Sequence, residues 1–290
     1  MRKLKFFKVN GAGNDFILID ALSENIKELS RDQMVKLCHR RKGIGADGIL
    51  MIRPSNRSSC RVEFFNSDGS RGSLCGNGAR CVINFLRYCG ITKGEPVEFE
   101  FGEQLYKGSF SPGGEPVFHM NRPAKLKTKF KIKAAGSLIT AHYCDTGSPH
   151  VVIEINDVPV NPKRSPATHQ DLENFPVKET GSEIRNHPDF APGGVNVNFI
   201  KILSESEIAI RTFERGVEDE TLACGTGSAA TAVVAFALGK CRPPVRFLTR
   251  SGDYLTIDFE IINNKLENLC LTGPAEINFH GAVGLEQYGE

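Results

Sequence analysis

The chain has 290 residues, of which 40% are hydrophobic and 24% charged, and its formal net charge is +2. This length allows one large domain or two of about 140 residues each, and the composition is ordinary for a globular protein. The small net charge and the lack of a basic run interleaved with aromatic residues argue against a nucleic-acid partner.

The N-terminal segment is charged and lacks the apolar core of a signal peptide. No apolar stretch approaches the roughly 20 residues that a membrane helix needs. The nine cysteines are odd in number and form no Cys-x-x-Cys pair. We therefore expect a cytoplasmic protein with reduced thiols, no membrane partner and no metal site.

The first half of the chain predicts two helices among short strands. One helix runs through residues 34–38, with Ser30 or Asp32 as its N-cap and Gly43 at its end. The second helix follows Cys75. Strands are predicted at residues 4–9, 16–19, 61–65, 97–101, 105–110 and 117–120.

The second half repeats this order. A turn at residues 146–150 precedes an apolar run at 151–153, and a helix follows Cys224. That helix is apolar nearly all round, which predicts burial on every side. Residues 159–192 are polar and proline-rich and predict an irregular segment with one helix. We predict an α+β fold of two pseudo-symmetric domains, each a mainly antiparallel, β-barrel-like sheet around a central helix.

Two cysteines lie in near-copies of one motif. Each precedes Gly-x-Gly and a helical run, which places its sulfur at a helix N-terminus, where unpaired N–H groups and the helix dipole favour the thiolate. We predict that the two thiols are a symmetric acid/base pair facing one substrate. The segments are Leu74-Cys75-Gly76-Asn77-Gly78-Ala79 and Ala223-Cys224-Gly225-Thr226-Gly227-Ser228.

Two other interpretations of these glycines have less support. Residues 225–230 match the dinucleotide-binding pattern G-x-G-x-x-A, but the preceding segment 218–221 is polar and turn-like, and no acidic residue stands about 20 positions further on. A glycine after a cysteine can also serve only a sharp turn into a helix. The second interpretation is weakened because the pattern occurs twice, each time before a helix.

Proton transfer at carbon is the chemistry that suits two such thiols. Inverting a stereocentre next to a carboxylate requires an ionised base on one face and a protonated acid on the other. We expect each helix N-terminus to bring the thiol pKa from about 8.5 toward neutrality, and its N–H groups to bind the reacting carboxylate. No metal cluster or pyridoxal lysine stands out in the sequence, so we expect no cofactor.

The combined motifs resemble those of the diaminopimelate epimerase family. They lie at residues 8–16, 65–70 with 75–80, and 214–216 with 221–227, and the similarity covers nearly the whole chain. The resemblance implies interconversion of LL- and meso-2,6-diaminopimelate, on the route to lysine and peptidoglycan, without pyridoxal phosphate or metal.

The same resemblance implies a homodimer and a division of the chain into two halves. Residues 1–121 form the half carrying Cys75, residues 122–274 form the half carrying Cys224, and residues 275–290 return to the first.

Roles for individual residues are also implied by the resemblance. Cys75 and Cys224 are the acid/base residues, with His150 and Glu214 as their respective proton-handling partners. The distal amino-acid group of the substrate needs donors for a carboxylate and acceptors for an ammonium. The distal set is Asn14, Asn66, Asn196, Glu214 and Arg215, the set for the reacting carboxylate is Gly76, Asn77, Gly225 and Thr226, and Ser148 completes the predicted substrate-binding residues.

Three features depart from the pattern common in that family. Gly48 stands where many members have Gln, Ser148 stands where many have Asn, and the loop 214–224 is one residue longer than usual. All three concern recognition of the distal end. A related two-thiol racemase acting on histidine or a proline-type substrate is the alternative, although proline racemase-like enzymes usually carry His at the position of Asn77. The phenazine-biosynthesis isomerase group lacks the paired cysteines, and a pure binding module is a further alternative of a different class.

Overall fold

The computed structural model of the protein divides into two compact units. The first unit is Met1–His119 with Thr272–Glu290, and the second is Met120–Leu271. No helix among the residues described here is long and apolar enough to cross a bilayer. The structure describes residues 3–22, 26, 28–73, 75–91, 96–160 and 167–288.

Short strands dominate both units, and each unit holds one central helix. The elements of the first unit are β1 (Lys3–Gly11), β2 (Asn14–Asp20), α1 (Arg31–Cys38), β3 (Gly48–Arg53), β4 (Cys60–Asn66), α2 (Gly76–Tyr88), β5 (Val97–Phe101), β6 (Gln104–Phe110) and β7 (Pro116–His119). The chain continues with β8 (Lys125–Ala134), β9 (Ser137–Asp145), β10 (Pro149–Glu154), α3 (Val177–Arg185), β11 (Asn196–Ser204), β12 (Glu207–Glu214), β13 (Asp219–Thr221), α4 (Gly225–Ala237), β14 (Val245–Leu248), β15 (Tyr254–Ile262), β16 (Lys265–Thr272) and β17 (Glu276–Gly284).

The first unit is a sheet curled around α2. Its strands are hydrogen-bonded in the order β17–β1–β2–β3–β4–β5–β6–β7, and the pairs β2/β3 and β4/β5 are parallel while the others are antiparallel. Helix α2 contacts β17, β1 and β2 as well as β6 and β7, so strands from both ends of the sheet reach it. Ten of its 13 residues are buried as a result.

The second unit has the same plan around α4. Its strands pair in the order β8–β9–β10–β11–β12–β14–β15, with β10/β11 and β12/β14 parallel. Helix α4 contacts β8 to β11 and also β15. Its alanine and valine side chains are buried on nearly every side, as the apolar pattern predicts. The predicted α+β class, with a mainly antiparallel, barrel-like sheet around a central helix, is confirmed.

Helix α1 shows how local sequence sets a boundary. Ser30 is its N-cap and forms a capping box with Gln33, each side chain bonding the other residue's backbone N–H. Of the two predicted caps, Ser30 is therefore the one used. The predicted end at Gly43 is wrong, because His39 leaves the helical conformation directly after Cys38.

Two further expectations concern the second unit. The segment 218–221 is not simply turn-like, because Asp219–Thr221 pairs with β12 as a short strand across a tight turn. Its polar side chains are held by ion pairs, such as Arg211 with Glu220 at 2.5 Å. The irregular segment 159–192 contains one α-helix, α3, as predicted. Residues 161–166 of that segment lie outside the described residues.

Candidate active site

Both motif cysteines are the N-caps of the central helices, as predicted. Cys75 precedes α2 with an extended backbone, and its Sγ accepts a hydrogen bond from Gly78 N at 3.2 Å. Cys224 precedes α4 in the same way, and its Sγ accepts from Gly227 N at 3.4 Å. Each sulfur takes up one of the N–H groups that a first helical turn leaves unbonded. Both thiols therefore lie at the positive end of a helix dipole.

A buried arginine supports the Cys75 end of α2. The guanidinium of Arg80 is fully buried and donates to Gly76 O at 3.2 Å, to Asn77 Oδ1 at 3.0 Å and to Pro274 O at 3.4 Å. A buried charge is tolerated when its donors are bonded in this way. Arg80 thus fixes Asn77, which is itself buried. The role of Arg80 was not predicted from the sequence, although a charged residue on an apolar helix face is a signal for one.

Asn14 and Asn66 lie at the ends of β2 and β4, the two strands that flank β3. Asn14 begins β2, and its Oδ1 is buried without a hydrogen-bond partner among the described residues. Such an acceptor is normally bonded in a folded protein, so it suits an N–H donor supplied by a ligand. Asn66 ends β4 and donates from Nδ2 to Ser70 Oγ at 3.0 Å.

Gly48, one of the departures from the family pattern, lies opposite Asn66 in the β3/β4 pair. A Cβ atom at Gly48 would lie 2.5 Å from both Phe64 Cε2 and Phe65 O. No side chain therefore fits at position 48 unless both the Phe64 ring and the Phe65 backbone carbonyl move.

Asp15, the residue after Asn14, is the centre of an ion-pair network. Lys8 Nζ lies 2.5 Å from Asp15 Oδ2 and also donates to Gly45 O. Arg40 binds Asp15 through two hydrogen bonds of 2.6 Å and contacts Asp47. Burial alone would raise the pKa of Asp15, but the hydrogen bonds from Arg40 and Lys8 hold it below its usual value. Asp15 is therefore ionised near neutral pH and anchors the turn, a role the sequence analysis missed.

The Cys224 thiol is buried next to the carboxylate of Glu214. Burial and this negative charge raise the pKa of Cys224 well above its ordinary value, against the hydrogen bonds from Thr226 and Gly227 N. The expected shift of this thiol toward neutrality is therefore wrong. Loss of hydration and a nearby anion both disfavour the thiolate, and together they outweigh the helix N-terminus. Glu214 also accepts a hydrogen bond from the Thr221 hydroxyl at 2.6 Å.

His150 lies in the same unit and is connected to the Cys224 loop. Its Nε2 is 3.0 Å from Thr226 Oγ1, and Thr226 Oγ1 is 3.5 Å from Cys224 Sγ. The ring is completely buried, which lowers the pKa of His150 to about 3. His150 is therefore neutral at physiological pH.

Asn196 forms hydrogen bonds with two other predicted substrate-binding residues of this unit, Ser148 and Arg215. Its Nδ2 donates to Ser148 Oγ at 2.7 Å and to Pro149 O at 3.1 Å, while its Oδ1 accepts from Arg215 N at 2.9 Å. Ser148, the second departure from the family pattern, thus has a defined hydrogen bond. Gly225 is the first residue of α4.

Metal ligands have no counterpart in this arrangement. Across the residues that the structure describes, no group of three or more His, Cys, Asp or Glu side chains is arranged to hold a metal ion.

The structure brings Glu214, Thr226 and His150 together around Cys224, and it places Asn77 and Arg80 at the start of α2 after Cys75.

The fold defines a class of two-unit proteins in which each unit is a sheet wrapped around a central helix. A PhzF-family phenazine biosynthesis protein of Bacillus anthracis has a similar fold, with a TM-score of 0.69 at 14% identity, over 98% of this chain and 100% of that one.

Sequence similarity then defines the family. The sequence model of diaminopimelate epimerase matches residues 6–132 and 142–277. The diaminopimelate epimerase of Chlorobaculum tepidum is 36% identical over 279 residues, covering 96% of this chain and 100% of that protein. The diaminopimelate epimerase of Aquifex aeolicus is 37% identical over 294 residues, covering 98% and 99%. This chain belongs to the diaminopimelate epimerase family.

Proposed function

We propose that this protein is a diaminopimelate epimerase, an isomerase that interconverts LL- and meso-2,6-diaminopimelate in the synthesis of lysine and peptidoglycan precursors. The observation that carries the proposal is the pair of thiols, Cys75 and Cys224, each capping a buried helix inside a motif of this family. The two epimerase halves are residues 1–121 and 122–274, with 275–290 belonging to the first.

Cys75 and Cys224 are the acid/base residues of the proposed reaction. One removes the α-proton as a thiolate, and the other returns a proton to the opposite face of the carbon from its thiol. Cys224 is the protonated member in the resting protein, because burial and Glu214 raise its pKa. Glu214 takes the proton of Cys224 when the roles reverse. His150, neutral and buried, is the proton-handling partner of Cys75.

The reacting carboxylate binds to the N–H groups of the two helix starts, at Gly76 and Asn77 in one and Gly225 and Thr226 in the other. Charge develops on this carboxylate in the transition state, and one donor aimed at such charge supplies roughly 3–4 kcal/mol. Arg80 supports this role in the first unit, because it holds both Gly76 and Asn77.

The distal amino-acid group is recognised by the remaining polar residues. The Oδ1 of Asn14, which has no partner in the described part of the chain, suits the distal ammonium. Arg215 suits the distal carboxylate, and Asn196 holds its backbone in place. The other members of the distal set are Asn66, Asn196 and Glu214, and Ser148 is the remaining substrate-binding residue.

Solvent exchange tests the proposal directly. Incubation with LL-diaminopimelate in heavy water is expected to give meso product with one solvent deuterium at an α-carbon, measured by mass spectrometry and NMR. Meso product without deuterium would contradict proton transfer through exchangeable thiols. A panel of diaminopimelate, proline, hydroxyproline and histidine tests the distal set, and equal turnover of all four would contradict it.

The enzyme further works without pyridoxal phosphate or metal, as a cytoplasmic homodimer. Activity is then expected to survive EDTA and carbonyl reagents that trap pyridoxal phosphate. Sedimentation equilibrium is expected to give twice the mass of the chain. Loss of activity with either reagent, or a monomeric mass, would contradict the corresponding part.

A further inference from the structure

Two buried polar residues next to the Cys224 site have no part in the mechanism above. Asn198 lies on β11 and is completely buried, and Thr212 lies opposite it on β12 and is 3% exposed. Buried polar groups of this kind are retained when they are bonded to each other or to a functional group. Their contacts lead to His150.

The two units can be compared position by position through their strand registers. Each unit contains a strand, its parallel neighbour and an antiparallel third strand, namely β2, β3 and β4 in the first unit and β10, β11 and β12 in the second. Counting along these registers, the equivalent positions are Phe16 and His150, Leu50 and Asn198, and Phe64 and Thr212.

The glycine in the first turn of each helix gives an independent check on this equivalence. A Cβ atom at Gly78 would have Cys75 Sγ, Leu50 and Phe16 as its nearest neighbours, at 3.3, 3.4 and 3.7 Å. A Cβ atom at Gly227 would have Asn198 Oδ1 and Cys224 Sγ as its nearest neighbours, at 2.6 and 3.2 Å. Apolar side chains thus lie next to the first turn of α2 after Cys75, whereas a polar side chain lies at the equivalent place in α4 after Cys224.

The orientation of the Asn198 amide follows from a backbone carbonyl. Gly227 O accepts hydrogen bonds only, and Asn198 Nδ2 faces it at 3.5 Å. Asn198 Oδ1 in turn accepts from the Thr212 hydroxyl at 3.0 Å. The amide nitrogen, and not the oxygen, therefore faces His150 Nδ1 at 3.2 Å.

This orientation sets the rest of the chain of hydrogen bonds. His150 Nδ1 accepts from Asn198, so a neutral ring carries its proton on Nε2 and donates to Thr226 Oγ1. Thr226 Oγ1 accepts this bond, which leaves its own proton to donate toward Cys224 Sγ. Each hydrogen bond in the series from Thr212 to Cys224 is then donated toward Cys224.

We propose that Asn198 is a positioning residue: it fixes the Nε2-protonated form of His150 and thereby turns the Thr226 hydroxyl toward the Cys224 sulfur. This inference rests on the proposed function, in which Cys224 must exist as a thiolate in one direction of the reaction. A directed hydroxyl donor stabilises that thiolate against the carboxylate of Glu214. The equivalent side chains in the first unit are apolar and cannot form such a relay.

The variants Asn198→Asp and Asn198→Leu separate positioning from packing. The ionised carboxylate of Asn198→Asp only accepts hydrogen bonds, so it draws the ring proton to Nδ1 and makes Nε2 an acceptor. The Thr226 hydroxyl then donates to His150 and no longer to Cys224. Asn198→Leu introduces the residue type found at the equivalent position 50 and removes the bond altogether. Thr231→Val is the matched control, because Thr231 is buried on the same helix, α4, and its hydroxyl has no partner among the described residues.

The experiment reads the ring proton of His150 by NMR of the whole protein with ¹⁵N-labelled histidine, using His150→Gln for assignment. The wild type and the Thr231→Val control are expected to show the proton on Nε2, and Asn198→Asp is expected to show it on Nδ1. For both Asn198 variants, kcat for diaminopimelate is expected to fall by about tenfold or more, with KM nearly unchanged. Thr231→Val is expected to retain kcat.

The inference is overturned if the wild-type ring carries its proton on Nδ1, or if folded Asn198→Asp keeps full kcat. An inactive wild type would instead overturn the proposed function. The NMR result still decides the positioning role in that case, because the ring proton is read without substrate.

Discussion

The starts of α2 and α4 present the same backbone and the same sulfur in opposite electrostatic surroundings. The Cys75 end has the buried guanidinium of Arg80 within its first turn, whereas the matching position in α4 is Ala229. The Cys224 end has the carboxylate of Glu214 next to its thiol. A duplicated fold thus supplies two equivalent thiol positions, and a few side chains beneath them make the thiols chemically different.

This difference suits a two-base enzyme. Inversion needs one base and one acid at the same time, and unlike surroundings set which thiol is which in the resting protein. An opposite charge favours the thiolate and a like charge disfavours it, so one charged residue at each helix start separates the two sites.

The largest expected effect comes from removing either sulfur. Cys75→Ala and Cys224→Ala are each expected to lower kcat by at least about 10²- to 10⁴-fold, because each removes one of the two proton-transfer groups. Epimerisation of LL-diaminopimelate measures this. Cys89→Ala, at the other end of α2, and Cys241→Ala, just after α4, are the controls and are expected to keep activity. Normal turnover in either of these two variants would contradict the claim that both thiols are proton-transfer groups.

Replacing Arg80 by Met tests the support of the Cys75 end. The variant removes the guanidinium that donates to Gly76 O, Asn77 Oδ1 and Pro274 O, and a hydrogen bond to a charged group contributes about 1.5–3 kcal/mol. We expect the free energy of unfolding to fall by roughly 2–4 kcal/mol in urea titrations and KM to rise. Arg87→Met in the exposed last turn of the same helix is the control, with an expected change below about 1 kcal/mol. Equal effects of the two variants would show that Arg80 has no special role.

The two first-turn glycines are expected to respond differently to alanine. Gly227→Ala places a Cβ 2.6 Å from Asn198 Oδ1, so we expect a loss of about 1–3 kcal/mol in the free energy of unfolding. Gly78→Ala meets its nearest neighbours at 3.3 and 3.4 Å and gains helix propensity, so a change within about 1 kcal/mol is expected. Urea titration of both variants measures the contrast. A reversed order would contradict the difference in packing beneath the two thiols.

The smallest expected effect is a shift in the pKa of Cys224. Glu214→Gln removes a negative charge that raises this pKa, so the pKa is expected to fall while burial keeps it above the ordinary value. Alkylation by iodoacetamide at Cys224, followed by peptide mass spectrometry, is then expected to begin at lower pH. Thr226→Val removes a hydrogen bond that lowers the pKa and is expected to shift the profile to higher pH. Shifts in the same direction would contradict this account of the site.

Local patterns in the sequence predicted much of the fold. The apolar composition of α4 predicted its burial, and the Cys-Gly-x-Gly segments predicted both capped helices, because cap chemistry and helix periodicity depend on residues close in the chain. The end of α1 and the strand Asp219–Thr221 were not predicted correctly. Both depend on where the chain turns, and pairing with β12 overrides the polar composition of that segment.

The same distinction between residues close in the chain and residues distant in the chain applies to the active site. The sequence by itself determined which two sulfurs begin helices, since a cysteine followed by Gly-x-Gly and a helical run carries that information within a few residues. Only the tertiary structure decided how each sulfur is tuned. Glu214, His150 and Asn198 reach the Cys224 end of α4 from β12, β10 and β11. Burial and charge at a thiol are sums over such distant neighbours, so the raised pKa of Cys224 opposes what its helix N-terminus alone predicts.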